Sequence, residues 1–328
     1  MSDTENIRRT QEGRHMRVMV IGATGAVGIP LVRQLGAAGH EVIGTSRSPE
    51  RARHLDGLGA HPIVLDALDA AAVQTSIAAA GPEAIVFQAT GLAGVRILRS
   101  LDRPFAATNR LRTEGLDNVL SAAQQSGVRQ IVAQSFAPYR YAREGGWVKT
   151  EDDPLDPAPP ASARDTFAAM SHLDRAVTEA GGIALRYGGF YGPGDEGLTR
   201  AVRKRQTPLV GDGRGVMSFV HLEDAAVATV LALEHHGPAI YNIVDNEPAP
   251  MRDWLPVLAH AVGAKPPRHF PTWIARLVAG PGLTMLTEAR GSSNAKAGRE
   301  LGWEPSYPSW REGFAAAYGE HSSTAGRS

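Results

Sequence analysis

The stretch Gly22-Ala23-Thr24-Gly25-Ala26-Val27-Gly28 constrains this chain more than any other. It lies between a short β-branched run at 17–21 and an amphipathic stretch at 27–38, so the pattern predicts a strand, a tight loop and a helix. A side chain at Gly22 would hinder the turn. One at Gly25 would keep the backbone from approaching a pyrophosphate, and Gly28 lets the helix pack closely on the sheet. The helix start then offers free N–H groups and a partial positive charge to phosphates. A glycine triplet means little in a chain with 36 glycines. Between a strand and a helix it points to a dinucleotide, with Gly22, Thr24, Gly25, Ala26, Val27 and Gly28 around the phosphates.

The rhythm continues downstream. Strand candidates at 41–45, 62–65, 84–88, 130–134, 183–186 and 240–244 alternate with helical stretches at 49–58, 70–80, 105–126 and 165–180. Residues 219–233 read as a strand end running into an alanine-rich helix. The expected fold is α/β: a Rossmann-type doubly wound parallel sheet with a smaller C-terminal α/β substrate lobe. Residues 16–190 form the dinucleotide-binding domain, with 218–246 returning to it. Residues 191–217 and 247–320 make the substrate lobe, and 1–15 and 321–328 are polar tails expected to be disordered or frayed. The segment 147–163 is crowded with prolines and acids, which excludes a helix or inner strand. It reads as an exposed connection, or a flap, beside the fifth strand's carboxyl end.

The second strand leads into Thr45-Ser46-Arg47-Ser48, where no acid is present to hold a ribose 2′-hydroxyl. Arg47 can instead pair with a 2′-phosphate through its planar fork, which favours NADP(H) over NAD(H). Asp66, after the third strand, is placed to meet the adenine edge, and Ala89, Thr90 and Gly91, after the fourth, line the cofactor's other side.

Composition narrows the partners. The formal net charge is zero, which argues against a nucleic-acid partner. The absence of cysteine excludes disulfides, thiolate zinc sites and a cysteine nucleophile, and it fits a cytoplasmic protein. No histidine pair has ligand spacing on a credible helix, so no metal is expected. No window supplies the ~20 apolar residues of a membrane span. The expected partner is a small-molecule substrate.

Several landmarks together are far more specific than the loop alone. Asn109-Arg110-Leu111-Arg112-Thr113 is similar to an N-x-x-G-T helix opening, and Gln134-Ser135-Phe136-Ala137-Pro138-Tyr139 to an S-S-x-x-x-Y stretch. Leu185-Arg186-Tyr187 with Tyr191-Gly192-Pro193-Gly194, Phe219-Val220-His221-Leu222-Glu223-Asp224 and Leu301-Gly302-Trp303-Glu304-Pro305 match later signatures. On these the chain resembles the extended short-chain dehydrogenase/reductases of the NAD(P)-dependent epimerase/dehydratase group, over about 16–319. The resemblance implies that Asn109 borders the cofactor, that His221 bridges the lobes, and that a homodimer is possible. It also implies a catalytic tyrosine and lysine four residues apart on the helix after the fifth strand. No tyrosine of this chain is followed by lysine at that spacing. The chain reads as an atypical member. Ser135, Tyr139 and His172 are the candidates to replace the pair, the serine to hold a carbonyl and the other two to move a proton.

The resulting expectation is an NADP(H)-dependent oxidoreductase acting on a small carbonyl or alcohol substrate through a non-standard site. The alternatives are a non-redox isomerase, cyclase or dehydratase on the same fold, and a non-catalytic dinucleotide-sensing protein.

Overall fold

The computed structural model describes residues 15–92, 101–194, 197–273, 275, 283 and 287–319. The two tails expected from the sequence lie outside these residues, apart from His15. Seven parallel strands build the central sheet: β1 (Arg17–Ile21), β2 (Glu41–Ser46), β3 (His61–Val64), β4 (Ala84–Phe87), β5 (Gln130–Phe136), β6 (Ile183–Tyr187) and β7 (Ala239–Ile243). Their order is β7-β6-β5-β4-β1-β2-β3. The winding reverses between β1 and β4, and such a switch point opens a crevice at the carboxyl ends of the strands.

Alternation along β1 explains why it is apolar after the exposed Arg17. Val18 and Val20 face a layer made by α1 (Gly28–Ala37) and α7 (Leu222–Leu233), while Met19 and Ile21 face α3 (Ala70–Ala80), α5 (Leu116–Gln125) and α6 (Arg164–Glu179). The remaining helices of this half are α2 (Pro49–Asp56) and α4 (Asp102–Arg110). β3 closes the sheet as an edge and is the least buried strand. Helix α6 buries Phe167, Met170, Leu173, Asp174 and Val177 at helical spacing. One of these is a carboxylate, so that face must supply it with partners.

The helix expected at 105–126 is divided by a π turn, Leu111–Gly115, which carries the buried Arg112. Such turns are rare and concentrate at functional sites. The C-terminal residues gather around Tyr191, Phe219, Trp254 and Phe314, whose rings meet edge to face at 5.2–5.3 Å. The acidic, proline-rich segment is stitched down: Val148–Lys149 pairs with Gly291–Ser292, and Asn242 N–H donates to Glu151 (2.7 Å). It links the end of β5 to residues 288–292. No described helix is long and apolar enough to cross a membrane.

Candidate functional site

The glycine loop occupies the carboxyl edge between β1 and β4. Gly22 sits at φ +92°, and a Cβ there would lie 2.8 Å from backbone atoms of Ala89, so the two strand-end loops touch backbone to backbone. A Cβ on Gly28 would lie 2.5 Å from the carbonyl oxygens of Gly22 and Ala23, which is how closely α1 seats on the loop. Gly25 N–H donates to the Gly22 carbonyl (3.0 Å). The N–H groups of Ala26 and Val27 have no acceptor among the described residues. Open donors at the start of α1 fit a pyrophosphate.

The end of β2 adds cations. Thr24 Oγ1 donates to Ser46 Oγ (3.2 Å), which ties the loop to β2. Arg47 is exposed. Ser48 caps α2 by accepting the Arg51 N–H (3.3 Å), and Arg51 Nη2 reaches back to the Thr24 carbonyl (2.5 Å). Sequence reasoning named Arg47 and missed Arg51, although a second arginine four residues later, one helical turn away, was visible. Asp66 is exposed beyond β3 and spends one oxygen on the Leu68 N–H (3.0 Å).

After β4, Ala89, Thr90 and Gly91 are half-buried, and Gly91 N–H donates to Thr108 Oγ1 (3.0 Å). The next residue, Asn109, donates from Nδ2 to Thr166 Oγ1 on α6 (3.1 Å). Its buried Oδ1 has no partner among the described residues. One turn further along α6, Met170 packs with Phe167, and with Phe136 and Tyr139 from the end of β5. The pair four residues apart on the helix face turned to this edge is therefore Thr166 and Met170, neither of which titrates. Neither was a candidate from the sequence, because neither residue type signals chemistry and the local pattern leaves the helix phase open.

Ser135, next to last in β5, is fully buried. Its hydroxyl donates to Asp174 Oδ1 (2.5 Å) and accepts from Arg140 Nη1 (3.1 Å). Asp174 Oδ2 also receives Arg140 Nη1 (2.8 Å) and Arg186 Nε (2.9 Å). Arg186 continues to the Tyr141 hydroxyl (3.2 Å), which donates to Asn242 Oδ1 (2.8 Å). Burial opposes ionisation of Asp174, but Arg140 and Arg186 outweigh it and hold the carboxyl below the usual carboxylate range. Arg112 stands near this group, where the N-x-x-G-T pattern has glycine. Its Nη1 has no partner among the described residues, and burial, with Arg140 beside it, pulls its pKa down to about 10.

Tyr139 adopts a left-handed backbone, φ +68°, which is strained for an aromatic residue. Its hydroxyl meets Met217 Sδ (3.3 Å), and desolvation pushes its pKa up to about 12. The structure does not bring His172 to this group. Two residues past Met170, it points across to α5 and pairs with Asp117 (2.8 Å) on a partly exposed face. Ser135, Tyr139 and the Asn109–Thr166 contact thus share the carboxyl edge. From Tyr139 a narrow cleft leads past Tyr141 and Pro160 to Arg143 and Glu288.

Comparison with known proteins gives a consistent picture. The NAD dependent epimerase/dehydratase family matches residues 18–244. A 3-diazoavenalumate denitrifying reductase from a Streptomyces species is 43% identical over 310 residues, 91% of this chain and 99% of that protein. A 2-alkyl-3-oxoalkanoate reductase from Stenotrophomonas maltophilia is 29% identical over 76% of each chain. Among solved structures, the UDP-glucose 4-epimerase of Thermus thermophilus in complex with NAD superposes with a TM-score of 0.70 at 25% identity, covering 94% of this chain and 100% of that one.

Proposed function

The chain belongs to the NAD dependent epimerase/dehydratase family, and on that premise we propose that it is an NADPH-dependent reductase that replaces the dinitrogen of an aromatic diazo compound with hydride. It is an oxidoreductase of the short-chain dehydrogenase/reductase type, and the substrate and the choice of dinucleotide are what the proposal adds.

The observation that carries the reading is the Thr166–Met170 face of α6. Reduction of a carbonyl develops an alkoxide and needs a positioned acid. Threonine and methionine cannot deliver a proton there, and Ser135 already donates its own to Asp174. Displacement of dinitrogen has no such need. Held by these residues, a reduced nicotinamide would supply the hydride: the ring carbon of the diazonium form would gain a C–H bond as the C–N electron pair leaves with N2, and the nicotinamide would be the group oxidised. The name of the 43% identical relative supports this chemistry.

The chain's own residues then have three tasks. The loop from Gly22 to Gly28 binds the pyrophosphate, and Arg47 with Arg51 holds a 2′-phosphate. Asn109 Oδ1, unpartnered among the described residues, is open to a hydroxyl or amide donor of the cofactor. Phe167, Met170 and Tyr139 form an apolar wall that keeps water from a reactive diazonium.

A ketone reductase is the second reading, and the oxoalkanoate reductase likeness favours it, with Tyr139 as the acid. Its elevated pKa fits a proton donor poorly. The test is turnover of an aryl diazonium salt and an aryl ketone with NADPH, following absorbance at the nicotinamide band and N2 by gas analysis. The proposal expects one N2 per NADPH above the enzyme-free rate. Ketone turnover without N2 release would overturn it.

A further inference from the structure

We infer that the buried guanidiniums of Arg112 and Arg140 make the carboxyl edge select a reduced dinucleotide over an oxidised one, which sets the enzyme for reduction and favours release of the spent cofactor. This rests on reading that edge as the nicotinamide's place.

Three buried arginines, Arg112, Arg140 and Arg186, surround one buried carboxylate, Asp174. Arg140 Nη1 spans Ser135 Oγ (3.1 Å), Asp174 Oδ2 (2.8 Å) and the Phe136 carbonyl (3.3 Å), and its Nη2 reaches Ser171 Oγ (3.4 Å). Arg186 puts Nε and Nη2 on the same Asp174 oxygen (2.9 Å each). Arg112, in the π turn, has no carboxylate partner among the described residues, and its Nη1 has no hydrogen bond there either. Glu151, reached through Tyr141 and Asn242, faces Lys296 as well as Arg186. The group around Asp174 therefore carries a surplus of two positive charges. It backs onto the edge. Phe136, whose carbonyl Arg140 holds, packs with Met170 and Tyr139, and Asn109, one turn before Arg112, holds Thr166.

A surplus of buried charge costs folding free energy, and water does not screen it. Its field acts on whatever occupies the edge. The phosphates are common to both forms of the dinucleotide, but the reduced ring is neutral and the oxidised ring carries one positive charge. The surplus therefore weakens binding of the oxidised form relative to the reduced one. At an effective dielectric of ~20, one unit charge acting over ~10 Å changes affinity about 10-fold. A diazonium carboxylate has no net charge, so the discrimination falls on the cofactor.

The test is equilibrium binding, independent of turnover. Enzyme freed of dinucleotide is titrated with NADPH and with NADP+ by calorimetry, in the parent and in two variants. NADPH is expected to bind at least about 10-fold tighter. Arg112→Met removes a positive charge and is expected to shrink that ratio about 10-fold, whereas Asp174→Asn removes the negative charge and is expected to widen it by a similar factor. A purely structural role would move both affinities together and leave the ratio in place. Equal binding of the two forms by the parent, a folded Arg112→Met that keeps the ratio, or an Asp174→Asn that shrinks it overturns the inference. If Arg112→Met melts early, Asp174→Asn decides: a ratio that does not widen there overturns it. Binding of neither dinucleotide overturns it together with the reductase reading. Absence of N2 release with both ratio shifts intact would sink the diazo reading and leave this inference standing.

Discussion

Asp174→Asn probes the buried network beneath the site. Asp174 and Arg140 side chains are 5% and 1% exposed, and Arg186 is 5% exposed, so no water screens the charges that the substitution would strand. Removing one partner of a buried pair costs about 3–5 kcal/mol, and asparagine keeps one acceptor oxygen, so the lower end applies, about 3 kcal/mol. At about 1.5 °C per kcal/mol for a chain of 328 residues, the melting temperature falls by roughly 4–5 °C. The pH dependence has a definite sign. The folded carboxyl titrates below its unfolded value of about 3.9, so its stabilisation is present above that value and is lost as pH falls through the depressed folded pKa. The gap between parent and variant is therefore flat from about pH 5 to 8 and narrows only in acid. Calorimetric or dichroism melts across that range check this. A loss under about 1 kcal/mol, or a gap that changes between about pH 6 and 8, would refute the reasoning.

Three further outcomes follow from the geometry. Arg47→Asp combined with Arg51→Gln lowers NADPH affinity by about 100-fold or more and changes NADH affinity little, as measured by fluorescence titration, because each of the two charged contacts to a 2′-phosphate contributes about 1.5–3 kcal/mol. Gly22→Ala abolishes dinucleotide binding, since its Cβ would meet Ala89 backbone at 2.8 Å at φ +92°; a titration that still shows tight binding contradicts the seating of the loop. Tyr139→Phe removes only the contact with Met217 and leaves kcat for N2 release within about threefold, whereas an acid role predicts a drop of about 10²-fold or more.

Much of the fold was legible because it rests on local chemistry. Runs such as Val18–Ile21 are apolar on both faces only when helices cover both, and the edge strand β3 is correspondingly short and mixed. The glycines were legible because a backbone demand, not a side-chain contact, selects them. The long helix at 105–126 was read as continuous, since helical spacing persists through the π turn; nothing local marks Leu111–Gly115 except a buried arginine in an apolar face. The site's chemistry was less readable. Ser135 donates its hydroxyl hydrogen bond to a carboxylate 39 residues away, a pairing that no local pattern encodes. His172 stands only two residues past Met170, but two residues turn a helix by more than half a circle, from the sheet's edge to Asp117. The Arg290–Trp147 contact joins segments 143 residues apart that meet around a two-residue strand pair.

The central claim is that hydride enters where dinitrogen leaves. The most direct measurement uses NADPH carrying deuterium at the transferable C4 position, an aryl diazonium carboxylate as substrate, and mass and NMR analysis of the product. One deuterium is expected on the ring carbon that bore nitrogen, and one N2 for each NADPH consumed. Deuterium at a carbinol carbon, or a product retaining both nitrogens, would contradict it.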